Sequence, residues 1–244
     1  MKNQTGKYLK YAIGEILLVV VGILIAVQIN SFVNSRQLKT DNQVFLKKMI
    51  TDLELNKKRL NRLMFGDKST RYISLQKAIR NDSIALRMTY NGLKASDLDY
   101  FLNNNLGAGG SYLNLHKSTY EELLNTGKLY TLGSEELITA IKNYNKRCER
   151  EDLYNKANTK GMNDGYLKLE KGLNKISMDY YMDSENFNIN NYPWYFDKQS
   201  ELYQNMQLGL ADMHGGQANN FYKMGELIKY SDSLIVIINK ELDK

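Results

Sequence analysis

The sequence predicts an all-α protein in which an N-terminal transmembrane helix is followed by an antiparallel helical bundle with long helices. Three observations indicate this class. The 244-residue chain contains a single proline, Pro193, and helix interiors exclude proline. One strongly hydrophobic segment lies near the N-terminus. Beyond it, apolar residues recur at the spacing of one helix face. The chain therefore divides into a tail at 1–9, a transmembrane helix at 10–33 and a soluble bundle at 34–244.

The transmembrane prediction rests on residues 12–29, which read AIGEILLVVVGILIAVQI. Crossing the hydrocarbon takes roughly 20 apolar residues in a helix, and continuation through Phe32 and Val33 supplies them. A cleaved signal peptide shares the basic start and apolar middle of this segment. Residues 26–30, AVQIN, lack the small-x-small pattern of a cleavage site. An uncleaved signal anchor is therefore favoured, with the lipid bilayer as its partner.

The orientation follows from the flanking charges. Three lysines precede the helix: Lys2, Lys7 and Lys10. Fewer cations follow it closely: Arg36 and Lys39. The positive-inside rule then places the N-terminus in the cytoplasm and the large domain outside. Further lysines at 47 and 48 weaken this bias, so a cytoplasmic domain remains the alternative.

One face of the anchor is a candidate for contact with another helix. Gly14, Gly22 and Ala26 share a face, and Gly22-x-x-x-Ala26 is a small-x-x-x-small pattern that permits close helix approach. Glu15 is a carboxylate within the apolar zone, where charged groups often mark function. Its simpler explanation is that it lies about one turn inside the membrane edge and reaches toward the headgroups.

Residues 6–30 resemble the opening of a family of uncharacterised single-pass proteins from Bacteroidota, especially flavobacteria. That opening reads K-Y-x-x-G-E-I-x-L-V-V-x-G-I-L-I-A-L-Q-I-N and is often followed by N-W. This chain differs at Val27 and at Ser31-Phe32. Residues 120–129, YEELLNTGKL, are similar to the family's Y-x-x-L-x-x-S-G-x-L stretch. The resemblance implies a bacterial inner-membrane protein with a helical domain and no assigned activity, and it carries no catalytic residues.

The bundle begins with a helix that continues the anchor, because neither proline nor glycine lies between residues 32 and 65. Gly66-Asp67 is expected to end it. A second helix is predicted at 69–86, with four side chains facing inward: Tyr72, Leu75, Ile79 and Leu86. A short helix at 97–102 precedes a glycine-rich loop.

Later helices are predicted from caps and periodicity. Ser118-x-x-Glu121 fits a capping box for a helix that Gly127 closes. Ser134 is expected to cap a region from 134 to 181 that forms either one very long helix or two. The last helix carries a heptad stripe: Phe221, Met224, Ile228, Ser231, Ile235, Ile238 and Leu242.

No catalytic pattern emerges, so the sequence predicts a non-enzyme without cofactor or metal. His116 and His214 lack partners at metal-binding spacing. Cys148, the only cysteine, is expected to be a small buried hydrophobe. The mixed charges of residues 146–152, KRCERED, indicate a solvated helix face rather than a nucleic-acid surface.

An aromatic cluster around the only proline and the only tryptophan is the most suggestive feature. Its candidate recognition residues are Tyr192, Trp194, Tyr195 and Phe196. Exposed, they would suit a sugar or a partner protein. The favoured alternative is a loop that packs against the end of the bundle. A buried Trp194 would exclude recognition.

These observations predict a membrane-anchored interaction or structural module, a component of or adaptor for an envelope assembly. It would bind a protein partner or associate with itself through the anchor helix. The alternative is an accessory sensor that binds a small ligand or peptide between bundle helices and signals through the anchor.

Overall fold

A computed structural model describes residues 5–67, 73–107 and 112–244, with side chains described from residue 13 onward. These residues form helices and connecting loops, with no strand among them. Within the described ranges there are six α-helices: α1 (Thr5–Phe65), α2 (Leu75–Asn91), α3 (Leu98–Asn103), α4 (Ser118–Asn125), α5 (Glu135–Met182) and α6 (Glu201–Leu242). Short 3-10 turns cover Ala95–Asp97, Lys128–Thr131, Ile189–Asn191 and Pro193–Tyr195. The all-α helical bundle with long helices is confirmed.

The bundle is a rod built on α5 and α6, which pack antiparallel along most of their length. At one end of the rod, the hydroxyl of Ser134, just before α5, donates a hydrogen bond to the carboxylate of Glu241, near the end of α6. The two oxygens lie 2.8 Å apart. Further along, Lys168 and Asp212 form an ion pair at 2.6 Å. Because α5 has 48 residues, it is about 70 Å long at the usual helical rise.

Helices α1 and α2 lie one after the other along α6. At the end of α1, the Phe65 ring packs edge-on against Phe221 at 5.5 Å. Farther along α6, the Gln217 amide donates to Asp82 of α2 at 2.7 Å. Earlier in α1, Lys57 pairs with Asp232 at 2.7 Å, and later in α2 the Thr89 carbonyl accepts a hydrogen bond from Tyr203. Both helices therefore run antiparallel to α6. The proximal end of the rod lies where Lys39 meets Lys244, and the distal end lies at the start of α6.

The core divides into three clusters along this rod. The proximal cluster joins α1, α4, α5 and α6, and the middle cluster joins the end of α1 to the start of α2 and to α6. The distal cluster joins α2, α3, the second half of α5, the 3-10 turns and the start of α6. Burial of these aliphatic and aromatic side chains supplies the main driving force for folding.

Helix α1 runs without a break from the apolar segment into the core, as the absence of glycine and proline predicts. Residues 13–40 are all exposed, whereas Leu46, Leu53 and Leu60 are almost completely buried. Gly66 ends the helix in the left-handed conformation, with φ 77°, which glycine adopts at little cost.

The predicted bounds of the second helix are wrong at both ends. The helix begins at Leu75, after Ser74 accepts a hydrogen bond from the Lys77 N–H at 3.3 Å, and it extends to Asn91. Serine is a preferred N-cap, so the local cap decides the start. Leu75 is buried, Ile79 and Leu86 are partly buried, and Tyr72 lies outside the described residues.

The capping box expected at Ser118 is also wrong, because the cap of α4 comes from another helix. Asp52 of α1 accepts hydrogen bonds from the Thr119 N–H at 3.1 Å and the Ser118 hydroxyl at 3.4 Å. A carboxylate at a helix N-terminus also complements the helix dipole. The predicted cap of α5 is confirmed, since Ser134 accepts from the Leu137 N–H at 3.4 Å.

Residues 135–182 form one helix rather than two, even though Gly161 and Gly165 lie inside it. At the closest crossing, a Cβ added to Gly165 would lie 2.8 Å from the Gly209 carbonyl oxygen. The glycines therefore permit the helices to touch instead of breaking one of them. The predicted stripe of α6 is only partly right. Met224, Ser231 and Ile238 are buried, whereas its other four members are only partly buried: Phe221, Ile228, Ile235 and Leu242. Leu227 and Leu234 are buried in place of Ile228 and Ile235.

Candidate functional site

The exposed half of α1 is long and apolar enough to cross a membrane. Its most apolar 18-residue window has a mean hydropathy of 2.6 and none of it is buried within the described structure. A soluble core helix would bury such a stripe. The helix is therefore compatible with a single-pass membrane anchor.

The candidate contact residues of the anchor all lie on this free segment. Gly14, Glu15, Gly22 and Ala26 are exposed, and a Cβ added to either glycine would meet nothing within 4 Å. The bundle does not cover them. Of the lysines that precede the anchor, Lys2 lies outside the described residues, and the side chains of Lys7 and Lys10 lie outside the described part of the structure.

The aromatic cluster sits at the distal end of the rod and is largely packed into it. Tyr195 is fully buried, with its ring edge-on to Phe101 at 6.3 Å. Trp194 is half-buried over Gly172, where an added Cβ would lie 2.6 Å from the indole. Tyr192 stacks on Phe187 at 5.9 Å. Tyr195 thus offers no surface to a partner.

The remaining aromatic of this cluster, Phe196, is 37% exposed and is the part of the cluster most open to solvent. The Tyr192 hydroxyl donates a hydrogen bond to Asp179, which holds that ring against α5. These contacts match the core-packing interpretation of the loop. They leave at most an edge of Trp194 and Phe196 for recognition.

A layer of buried polar residues crosses the rod where α5 meets α6. Glu151 is 1% exposed and pairs with Arg147 at 2.7 Å, Lys223 at 3.0 Å and Arg150 at 3.4 Å. The expectation of a solvated face at 146–152 is therefore wrong for Glu151. A buried carboxylate needs such partners because its desolvation costs several kcal/mol.

One turn farther along α5, this layer contains polar atoms without protein partners. Asn155 is 3% exposed, and neither its side-chain nitrogen nor its oxygen is hydrogen-bonded. Nearby, Asn158 donates to Asn220 at 2.8 Å, while the Asn220 amide nitrogen lacks a partner. Buried polar groups of this kind usually bind ordered water or a ligand.

The same layer continues to Asp82 of α2, which is completely buried. Its carboxylate accepts hydrogen bonds from the Gly107 N–H at 3.0 Å and from Gln217 at 2.7 Å. Burial raises the pKa of Asp82 to about 6 despite these two donors, because desolvation disfavours the charged form.

Sequence reasoning missed this layer, although a signal for it existed. On α5 the buried stripe passes through Leu137, Ile141 and Tyr144. Glu151 lies seven residues after Tyr144, and Asn155 lies four residues after Glu151. Both therefore share the helix face of Tyr144. Following the register of the stripe, rather than local charge, would have found both.

A groove lies between α5 and α6 in the proximal half of the rod. Its volume is about 430 Å³, and it is lined by Ala140, Asn143, Tyr144, Lys146, Arg147, Arg150, Tyr230, Ser233, Leu234 and Ile237. The Arg147 guanidinium lies over the Tyr230 ring, 4.8 Å from its centre. The floor is apolar and the rim is cationic.

The candidate ligating residues are dispersed. Among the described residues, no three histidine, cysteine or acidic side chains are placed to hold a metal ion. The His116 backbone is bonded to the Asn56 side chain. Burial raises the pKa of Cys148 to about 11, so this thiol stays protonated at neutral pH.

Comparison with protein-family models, with curated proteins and with solved structures finds no match for this chain. The resemblance of residues 6–30 to flavobacterial single-pass proteins therefore stays a prediction. The sites above rest on the geometry of this chain alone.

Proposed function

We propose that this chain is a membrane-anchored interaction or structural module, a component of or adaptor for a protein assembly in the bacterial envelope. The observation that supports it is the continuity of α1. One unbroken helix carries both the exposed apolar segment and the buried core residues from Phe45 to Met64. Such a connection holds the bundle at a fixed position relative to the bilayer.

The distance between anchor and bundle is short. Lys39 of α1 donates to the Lys244 carbonyl at 3.1 Å, so the rod begins only six residues after Val33. At the usual helical rise that gap is about 9 Å. The rod then extends roughly 70 Å farther along α5, a geometry that suits the presentation of surfaces to partners above a membrane.

We place the anchor in a bacterial inner membrane with the N-terminus in the cytoplasm and the bundle in the periplasm. The lysines before the apolar segment support this orientation. A cysteine at the exposed Tyr222 position, in a Cys148→Ser background, tests it. Labelling by an impermeant maleimide in intact spheroplasts is expected. Labelling only after lysis would place the bundle in the cytoplasm.

Self-association through the anchor is supported by where its small residues point. At about 100° per residue, the face with Gly22 and Ala26 lies roughly opposite the face with Leu46 and Leu53. Two anchor helices that pack along Gly22 and Ala26 would therefore place their bundles on opposite sides, where they do not clash. No bundle residue covers this face within the described structure.

Purification of the intact protein from its native membrane tests the proposed role. We expect one defined protein, or a second copy of the chain, to accompany it in a fixed ratio. A matched preparation with Gly22→Leu and Ala26→Leu separates self-association from binding through the bundle. Recovery of the monomeric chain alone in both preparations would contradict the proposal.

The sensor alternative is favoured by one observation, the unpartnered side chain of Asn155 in the buried layer. A small polar ligand at this position would satisfy it and link α5 to α6. Such a ligand would raise the Tm of the chain, and Asn155→Leu would abolish that rise. An adaptor without a ligand would show no such rise.

A further inference from the structure

The groove between α5 and α6 has an excess of positive charge. Glu151 provides one carboxylate for two cations of the groove, Arg147 and Arg150, and shares it with Lys223 outside the groove. Lys146 adds another cation at the rim. An anionic occupant would be attracted to this rim, since complementary charge guides association and sets the register of a partner.

The cationic rim is held in place before any partner arrives. Arg147 lies between the buried Glu151 carboxylate, at 2.7 Å, and the Tyr230 ring, at 4.8 Å. These contacts fix its guanidinium and reduce the entropy lost on binding. Arg150 is 51% exposed and keeps donors free for an incoming carboxylate.

The floor of the groove is apolar and follows the helix axes. Ala140 on α5 leaves space beside Leu234 and Ile237 on α6, and Val236 next to them is 54% exposed. An elongated apolar floor with charged edges matches the face of an amphipathic helix, which anchors through side chains one turn apart.

The distance of the groove from the membrane favours a protein partner over a lipid as its occupant. Lys146 lies eleven residues into α5, which places it about 16 Å from the proximal end of the rod. The gap to the apolar segment adds about 9 Å. Electrostatic attraction to headgroups decays over about 8 Å at physiological salt. Anionic lipid is therefore too distant to occupy the rim.

We propose that this groove binds an acidic amphipathic helix of a partner protein. The inference rests on the proposed function and names the chemistry of the partner. Carboxylates on the partner pair with Lys146, Arg147 and Arg150, and its apolar side chains cover Ala140 and Ile237.

The test uses the full chain in phosphatidylcholine nanodiscs and three probes. The first is a fluorescein-labelled helical peptide of about 20 residues with a leucine face and glutamate edges. The second has lysine in place of each glutamate, and the third is a phosphatidylglycerol vesicle. Fluorescence anisotropy is expected to show binding of the glutamate peptide in the micromolar range and no binding of the lysine peptide.

Charge reversal at the groove distinguishes this site from the rest of the surface. The Lys146→Glu/Ser233→Glu variant leaves the Arg147–Glu151 pair intact and should weaken binding at least tenfold. A control, Lys160→Glu/Asn219→Glu, makes the same change in charge at exposed positions outside the groove and should bind as the parent does. Circular dichroism confirms that each variant is folded.

Three results would overturn the proposal: equal binding of both peptides, equal loss in the control variant, or no binding of the glutamate peptide. Capture of phosphatidylglycerol vesicles without peptide binding would assign the rim to lipid and also overturn it. If the glutamate peptide does not bind but the chain still co-purifies with a partner, the groove is not the binding site and the proposed function stands.

Discussion

Gly165 of α5 and Gly209 of α6 meet backbone to backbone, because a Cβ added to Gly165 would lie 2.8 Å from the Gly209 carbonyl oxygen. No side chain separates the two helices at this crossing. The distal half of the rod depends on that contact, since Leu169 and Leu210 on either side of it are buried in the distal cluster.

Gly209→Ala is therefore expected to destabilise the protein by about 2 kcal/mol, the usual cost of overpacking. The control is Gly215→Ala, where the added Cβ meets nothing within 4 Å. It should stabilise α6 by roughly 0.5–1 kcal/mol, because alanine loses less backbone entropy. Guanidinium unfolding of both variants in detergent gives the comparison, and equal effects would refute the close crossing.

Glu151→Gln should destabilise the protein by about 3 kcal/mol, because it leaves Arg147 and Lys223 without their shared carboxylate. The partners are only partly buried, which places the effect at the lower end of the range for buried pairs. Glu149→Gln, on an exposed position two residues earlier, is the matched control and should change little. The free energy of unfolding measured by denaturant titration checks both.

The buried Asp82 makes stability depend on pH. Its pKa rises from 3.8 to about 6 on folding, so the native state binds this proton more tightly than the unfolded state does. Its contribution is complete below about pH 4 and is lost as the pH rises through 6, by about 3 kcal/mol in all. Between pH 4 and 7 the parent should lose about 2.5 kcal/mol more stability than Asp82→Asn, because the unfolded carboxyl is already partly ionised at pH 4. If the free energy of unfolding changed with pH in the same way for both proteins, the pKa of Asp82 would not be raised by burial.

Two buried tyrosines should respond in opposite ways to loss of their hydroxyl groups. The Tyr203 hydroxyl donates to the Thr89 carbonyl at 2.6 Å, so Tyr203→Phe should cost about 1 kcal/mol. The Tyr195 hydroxyl is buried without a partner, so Tyr195→Phe should be neutral or stabilising. Thermal unfolding of the two variants distinguishes them, and equal losses would contradict the packing of the distal loop.

Local patterns in the sequence were enough for α1, for the start of α5 and for the last helix, but they left open whether residues 134–181 form one helix or two. The uninterrupted α1, the Ser134 cap of α5 and the last helix all follow from residues close together in the chain. The cap of α4 could not be found this way, since Asp52 and Thr119 are brought together only by the packing of α1 against α4. Glu151 looked like a solvated charge because its neighbours are charged, whereas its position in the helical register buries it.

Above all, we propose that the transmembrane helix at 10–33 stays in the mature chain and holds the rod in a bilayer. Alkaline carbonate washing of native membranes, followed by peptide mapping of the retained protein, tests this most directly. We expect the chain in the washed membrane fraction, with peptides covering the apolar segment present. A chain released into the soluble fraction that begins after residue 30 would show a cleaved signal sequence and contradict the account.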